Sequence, residues 1–376
     1  MTTKKIRDFL AERRATPYLV VDLDVVADNY RKLKDAVPQA GIYYAIKANP
    51  APEILDVLTK LGSSFDTASV NEIDMALRAG VSADKISYGN TIKKKDDIAA
   101  AYARGVRLFA FDSEAELAKL SAAAPGAKVF CRILTSGEGA DWPLSRKFGC
   151  DIEMARELLI SAASKGVVPH GVSFHVGSQM KDPNAWDRAV EQAAWLFREC
   201  EDAGVQLNML NLGGGFPTKY RKDIPAMGSY GAAIHAALAR HFGNRVPEII
   251  VEPGRQMVGN AGLIDTEVVL VSRKSKRDTR RWVYLDIGKF GGLAETMDEA
   301  IQYPIVSAKK GSKVERVVLA GPTCDSADVL YEKADYRLPI DLEAGDRLEI
   351  RATGAYTTTY SAVAFNGLEP LKCYCI

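Results

Sequence analysis

Histidine is scarce in this chain, cysteines are unpaired, and the net charge is close to nil. Only four histidines occur, His170, His175, His235 and His241, and none sits in an H-E-x-x-H pattern, so no zinc site is expected. The six cysteines, Cys131, Cys150, Cys200, Cys324, Cys373 and Cys375, are scattered without a C-x-x-C pair, which points to reduced thiols rather than a disulfide framework. The 49 Lys+Arg residues nearly cancel 48 Asp+Glu. That balance leaves no electrostatic footprint for nucleic acid and no polybasic membrane anchor. No apolar run is long enough to span a bilayer, and the opening MTTKKIRDFLAERR lacks the apolar core of a signal peptide. What is present is 376 residues, 47% hydrophobic and 26% charged, enough for two domains with a substantial core. The expectation is a cytoplasmic enzyme acting on a small molecule.

From about residue 23 to 255 short β-rich runs alternate with segments of helical periodicity. The runs are Ile42–Lys47, Ser64–Thr67, Ile86–Tyr88, Leu108–Phe111, Lys128–Ile133, Gly171–His175, Met209–Leu212 and Glu248–Glu252. Between them, Pro52–Leu61, Asn71–Ala79, Ser113–Ala123 and Ile152–Ser164 repeat apolar residues at three- and four-residue steps. Eight such units predict a (β/α)8 TIM barrel over residues 23–258, with an open doubly wound sheet as the alternative. After Gly259 the texture becomes strand-like, at Thr266–Val271, Arg281–Leu285, Val314–Leu319, Arg347–Arg351 and Ser361–Phe365. Residues 1–22 and 259–376 are therefore assigned to a second, mostly antiparallel β domain of sandwich or barrel type, which the Pro17–Asp22 run rejoins. The fold class is α/β plus β.

In such a barrel, chemistry sits where strands end. Those ends carry Lys47, Asp66, Asn90, Asp112, Arg132, His175, Gly213–Gly215, and Glu252 with Arg255. Strand alternation puts Tyr43, Ala45 and Lys47 on one side. If that side is interior, a desolvated Lys47 amine becomes a nucleophile toward an aldehyde; otherwise it emerges into solvent. The Gly213-Gly214-Gly215 run lets backbone N–H groups crowd an oxyanion, although glycine runs are often only tight turns. With Glu252-Pro253-Gly254-Arg255 after the eighth strand, it marks a phosphate-bearing ligand. His175 is either a ring laid against an aromatic cofactor or a core histidine bonded to a carbonyl, and Ser178 offers a hydroxyl to phosphate.

Taken together, Tyr44-Ala45-Ile46-Lys47-Ala48-Asn49, Phe65-Asp66-Thr67-Ala68-Ser69, Ser173-Phe174-His175-Val176-Gly177-Ser178, Gly213-Gly214-Gly215-Phe216-Pro217, Glu252-Pro253-Gly254-Arg255, Gly321-Pro322-Thr323-Cys324-Asp325 and Gly354-Ala355-Tyr356-Thr357 resemble the fold-type III, alanine-racemase-like pyridoxal 5′-phosphate enzymes. The resemblance is greatest to their ornithine/lysine decarboxylase branch and spans nearly the whole chain in order. It implies that Lys47 bonds the cofactor aldehyde and that His175 stacks on the pyridine face. It implies further that Ser178, Gly215, the Glu252–Arg255 backbone and Tyr356 hold the phosphate, that Gly213, Gly214, Gly254 and Arg255 are among the cofactor-binding residues, and that Glu252 pairs with the pyridine nitrogen. Asp66, Glu72 and Arg132 would support the ring and Lys47. Cys324 and Asp325 would complete a neighbouring subunit's site in a head-to-tail homodimer.

A carboxylate beside the pyridine nitrogen keeps it protonated and makes the ring an electron sink, whereas the racemase branch places an arginine there. Glu252 therefore argues for decarboxylation, with Cys324 as the proton donor to Cα unless it is a buried inert thiol. A diamino acid needs a carboxylate for its distal ammonium. Asp325, Asp298 and Glu299 are the candidates, unless the last two are simply a solvated helical face. The implied reaction is L-ornithine to putrescine for polyamine synthesis, with L-lysine to cadaverine beside it. Met297, where an aromatic residue precedes the aspartate in eukaryotic ornithine decarboxylases, leaves room for the longer chain. The alternatives are diaminopimelate or carboxynorspermidine decarboxylation, and a silent homologue that binds a regulatory partner.

Overall fold

In the computed structural model, residues 2–142, 147–309 and 311–376 are described. The chain divides into two compact units. One holds residues 27–217 and 224–257, and the other holds 1–26, 218–223 and 258–376.

The first unit is a closed parallel barrel of eight strands. In chain order they are β1 (Ala40–Ala45), β2 (Ser64–Thr67), β3 (Ile86–Tyr88), β4 (Leu108–Phe111), β5 (Lys128–Arg132), β6 (Val168–Ser173), β7 (Met209–Asn211) and β8 (Glu248–Val251). β8 pairs with β1 in parallel, Ile249 opposite Ala40, which closes the ring. The open doubly wound sheet is thereby excluded. Tyr43, Ala110, Phe130, Met209 and Ile250 form one buried interior cluster drawn from five strands. The barrel is thus a packed core whose chemistry is confined to its rims.

The helices begin where local hydrogen bonding favours them. Ser69, Ser113 and Asp151 each accept from a backbone N–H three residues on, and Pro52 occupies a first-turn position where its missing N–H costs nothing. Helices Pro52–Lys60, Val70–Arg78, Glu114–Ala123 and Ile152–Ala163 follow the predicted spans to within a residue.

Strand ends differ from the sequence reading in a consistent way. β1 stops at Ala45, and Lys47 lies on the single 3-10 turn Ile46–Ala48. β6 stops two residues before His175, and β8 stops one before Glu252. The parallel ladder gives out where glycines and polar residues begin, so these side chains stand on the connecting segments rather than on the strands. The alternation argument holds for Tyr43, which joins the interior cluster, but does not extend to Lys47.

The second unit is one eight-stranded sheet. Strand Tyr18–Val21 pairs antiparallel with β9 (Gly262–Ser272) and parallel with Lys372–Cys375, so the early run does rejoin the late ones. The other members are Arg281–Leu285, Ile305–Ser307, Val314–Ala320, Val329–Pro339 and Arg347–Arg351. Most pairings are antiparallel, with Arg281–Leu285 beside Val314–Ala320 a parallel exception. Ser361–Phe365 is not a strand. It runs as bends into the 3-10 turn Phe365–Gly367, with Ala364 and Asn366 at positive φ, a conformation no ladder accommodates. Among the described residues no helix is long and apolar enough to cross a membrane.

Phe130 is 1% exposed inside the barrel cluster. Truncation to alanine removes the whole phenyl ring from a site walled by strands that cannot collapse inward. Phe130→Ala is expected to destabilise the barrel by about 3–5 kcal/mol. Denaturant titration checks this, and a loss below about 1 kcal/mol contradicts the packed-interior reading.

Candidate active site

The C-terminal rim of the barrel gathers Lys47, Asp66, Glu72, Arg132, His175, Ser178, Gly213–Gly215, Glu252, Gly254 and Arg255 within one compact unit. Its framework is backbone packed on backbone. A Cβ on Gly213 would lie 2.1 Å from the Phe174 carbonyl oxygen, one on Gly214 2.5 Å from the Glu252 oxygen, and one on Gly215 2.6 Å from the Gly177 oxygen. Gly213 and Gly215 also have φ of +65° and +101°. Only glycine satisfies both the close approach and the left-handed backbone. The Glu252 N–H donates to the Gly213 oxygen at 2.8 Å, and Trp186 donates its indole N–H to the Leu212 oxygen at 3.1 Å while stacking on Phe216. The loop is therefore a fixed cradle rather than a tight turn alone.

His175 faces this loop. A Cβ on Gly214 would come within 3.2 Å of His175 Nε2. The Gly177 N–H donates to His175 Nδ1 at 3.0 Å, which makes Nδ1 the acceptor and puts the ring proton on Nε2. Burial, aided by the charges of Arg132 and Lys47, holds the imidazole's proton affinity well below its usual range. The ring is thus a neutral, oriented plate on a half-buried residue. It is not the carbonyl-bonded core histidine that was the alternative reading.

Acids and bases are interleaved around it. Asp66 is buried and accepts from the Ser87 hydroxyl at 3.1 Å. Burial raises its carboxyl well above the usual range, Glu252 and Glu72 push the same way, and Lys47 opposes them. Glu72, whose own N–H caps on Ser69, accepts the Ala68 N–H at 2.6 Å. Burial raises its carboxyl too, against that hydrogen bond and Lys47. For Arg132, burial lowers the proton affinity while Glu252, Asp66 and Asp112 raise it. Its guanidinium also lies 5.0 Å from the Phe148 ring centroid. Lys47 is the exposed member. It reaches solvent at the rim, where its charge lowers the proton affinities of Asp66, Glu72 and His175, so of the two readings of the strand it is the solvent-reaching one.

At the other side of the rim, buried Arg255 donates through Nε and Nη2 to Ser178 Oγ at 3.2 and 3.1 Å. With Ser178 accepting from that cation, its hydroxyl proton is directed away from Arg255 and is available to an anion. The residues fit a pyridoxal phosphate: a glycine cradle and a guanidinium-held hydroxyl for the phosphate, a neutral ring plate for the pyridine face, an acid at Glu252, and an amine at Lys47.

The remaining candidates belong to the second unit. Cys324 is exposed, which excludes the buried inert thiol. Asn366 brackets it, accepting the Cys324 N–H at 3.1 Å and pointing its Nδ2 at Sγ at 3.2 Å. Buried Asp328 shapes the same loop, accepting from Thr323 N, Thr323 Oγ1 and Lys289 N. Asp325 is exposed; its Oδ1 accepts the local Ala327 N–H at 2.8 Å and its backbone oxygen that of Asp328 at 3.1 Å. Tyr356 has φ +55°. Asp298 and Glu299 do not form a helical face, because both have positive φ at a kink. Asp298 is exposed, but Glu299 accepts the N–H groups of Glu332, Lys333 and Ala334, each at 2.7 Å. Burial works against its ionisation, yet these three donors prevail and hold the carboxyl below its usual range. Glu299 is a brace for strand Val329–Pro339. Sequence reasoning missed Asn211, Ser87, Trp186, Asn366 and Asp328, none of which stands in a motif; each is found only through its hydrogen bonds.

The His175 assignment makes a pH prediction. Its folded pKa is depressed below the unfolded value near 6.5, so its contribution to stability is complete above that pH. The contribution is lost as pH falls toward the folded value, because the unfolded chain binds the proton first. Nitrogen-15 spectra are expected to show a neutral Nε2–H ring at pH 6, and an imidazolium at that pH contradicts the assignment.

A family model for the pyridoxal-binding domain of pyridoxal-dependent decarboxylases matches residues 23–259. The lysine/ornithine decarboxylase of Selenomonas ruminantium is 38% identical over 360 residues, covering 95% of this chain and 89% of that protein. The S. ruminantium lysine decarboxylase structure with PLP and cadaverine superposes with a TM-score of 0.90 at 35% identity, over 100% of this chain and 94% of that one. A lysine/ornithine decarboxylase from Vibrio vulnificus, complexed with putrescine, gives 0.89 at 30% identity, over 100% and 99%. Matched along nearly its full length in sequence and in fold, with a rim built for that cofactor, the chain belongs to the pyridoxal 5′-phosphate-dependent decarboxylases.

Proposed function

We propose that this enzyme decarboxylates L-ornithine to putrescine, with L-lysine to cadaverine as a second reaction, in polyamine synthesis. The observation that carries the reaction class is Glu252, an acid at the barrel rim held by Asn211, where a base would suppress carbanion chemistry. Support for the substrate comes from the relatives named for lysine and ornithine, and from exposed acids on the second unit.

When bound, the cofactor supplies an aldehyde for amine attachment and an electron sink for the carbanion left by CO2. This chain's residues set the conditions for that chemistry. Lys47 would hold the cofactor through its amine. Glu252 keeps a proton at the pyridine nitrogen. Neutral His175 presents a flat face without adding charge, and Asp66, Glu72 and Arg132 balance the Lys47 ammonium. Ser178, Arg255, Tyr356 and the glycine loop fix the phosphate end. Cys324 Sγ delivers the proton to Cα, and the reading includes a head-to-tail homodimer in which Cys324 and Asp325 serve the neighbouring subunit. For the distal ammonium, Asp298 and Asp325 remain, since Glu299 is spent on backbone donors. The silent-homologue alternative is disfavoured, because Lys47, His175, Gly213–Gly215, Glu252 and Cys324 all stand in place.

A CO2-release panel over ornithine, lysine, arginine, diaminopimelate and carboxynorspermidine tests the substrate. Ornithine is expected to rank first with lysine behind it, and diaminopimelate above ornithine overturns the assignment. The acids separate in the same assay. Asp298→Ala is expected to raise KM for the diamino acid about 10-fold or more, the cost of leaving a distal charge unpaired. Glu299→Ala should instead lower stability by roughly 1–2 kcal/mol through unpaired backbone donors, with little change in KM. The reverse pattern would reassign the two residues.

A further inference from the structure

We infer that Asn211 is a positioning residue that holds the Glu252 carboxylate in its working orientation and ties it to the glycine loop. The inference rests on the proposed role of Glu252 and goes beyond it. Asn211 ends β7 and is 1% exposed. Its Oδ1 accepts the Gly213 N–H at 2.9 Å, and its Nδ2 donates to Glu252 Oε1. The direction of the amide is fixed by chemistry. A backbone N–H can only donate, so the amide oxygen must face Gly213, and the NH2 is left for the carboxylate. The Glu252 N–H in turn donates to the Gly213 oxygen at 2.8 Å. Three hydrogen bonds thus close a circuit through Asn211, Gly213 and Glu252, joining the phosphate cradle to the acid.

Donation from a neutral amide does two things for Glu252. It selects one rotamer, leaving Oε2 as the oxygen free to meet a ligand. It also gives the carboxylate a hydrogen-bond partner that adds no charge, in a neighbourhood where Asp66 and Glu252 already repel each other. Aspartate at 211 would keep the acceptor for Gly213 but remove the donor and set a second carboxylate against Glu252. Asn211→Asp therefore separates the two roles of the side chain.

The test uses enzyme carrying its cofactor. Visible absorption and kcat are measured against pH, together with the cofactor dissociation constant, for the wild type, Asn211→Asp and Asn211→Ser. For Asn211→Asp the spectral midpoint and the acid limb of kcat are expected to move up by about one pH unit or more. For Asn211→Ser, whose single shorter hydroxyl cannot serve Gly213 and Glu252 together and adds no charge, a smaller upward shift is expected. Cofactor affinity should fall about 10-fold, as for the loss of one charge-assisted hydrogen bond. Profiles and affinities superimposable on wild type overturn the inference, and Asn211→Ser alone decides it if the aspartate variant does not fold. Borohydride reduction and peptide mapping of the wild type distinguish the two levels. Cofactor absent from Lys47 overturns the functional reading itself, whereas cofactor on Lys47 with unmoved profiles overturns only the role of Asn211.

Discussion

The rim of the barrel is governed by how closely three backbone segments approach one another. Gly213–Gly215 lies against the carbonyls of Phe174, Gly177 and Glu252 at separations that leave no room for a Cβ. That contact does more than shape a cradle. It sets the height of His175 above the loop, because Gly214 meets the imidazole edge, and it fixes the Glu252 backbone through the Gly213 oxygen. The fourth link is Ala45, whose N–H donates to the Pro253 oxygen at 3.0 Å just before the turn that carries Lys47. Amine, ring plate, cradle and acid are therefore referenced to a single strand-end framework. Preorganisation of this kind resides in the backbone, where side-chain entropy cannot erode it.

Much of this was legible from sequence because the signals are strong ones. Eight apolar runs alternating with one-sided helices leave few architectures, and polar residues clustering after those runs locate the rim. What sequence could not give was where each ladder stops. Lys47, His175 and Glu252 each lie one or two residues past a strand, and that boundary depends on neighbouring strands rather than on local composition. Strand Val329–Pro339 escaped for a related reason, since Glu332, Lys333, Asp335 and Arg337 obscure its alternation. Ser361–Phe365 failed in the opposite direction. Its β-prone residues are overridden by positive φ at Ala364 and Asn366, and the turn they make brings Asn366 onto Cys324.

Glu299 illustrates a different limit. As a residue type it is as good a partner for an ammonium as Asp298, and adjacency gives no means of choosing. The choice is made by three N–H groups of another strand, which occupy both carboxylate oxygens. An acid already satisfied by backbone donors has little to gain from a ligand and would lose those bonds to reach one. Asn211 shows the converse case, a neutral residue outside every motif whose importance comes wholly from what it touches.

The charge content of the rim bears directly on reaction class. Three acids, Asp66, Glu72 and Glu252, share the rim with three cations, Lys47, Arg132 and Arg255. His175 adds no charge of its own, because burial, with Arg132 and Lys47, keeps it neutral. Burial is the first cause of the raised proton affinities of Asp66 and Glu72, and of the two only Asp66 is also pushed up by neighbouring acids. Under the proposed function, Glu252 would be the acid that holds a proton on the pyridine nitrogen and so lets the bound ring withdraw electrons. An arginine at 252 would remove that partner. On this reading it is Glu252, tied to Asn211 and to the Gly213 backbone, that would suit the rim to carbanion chemistry.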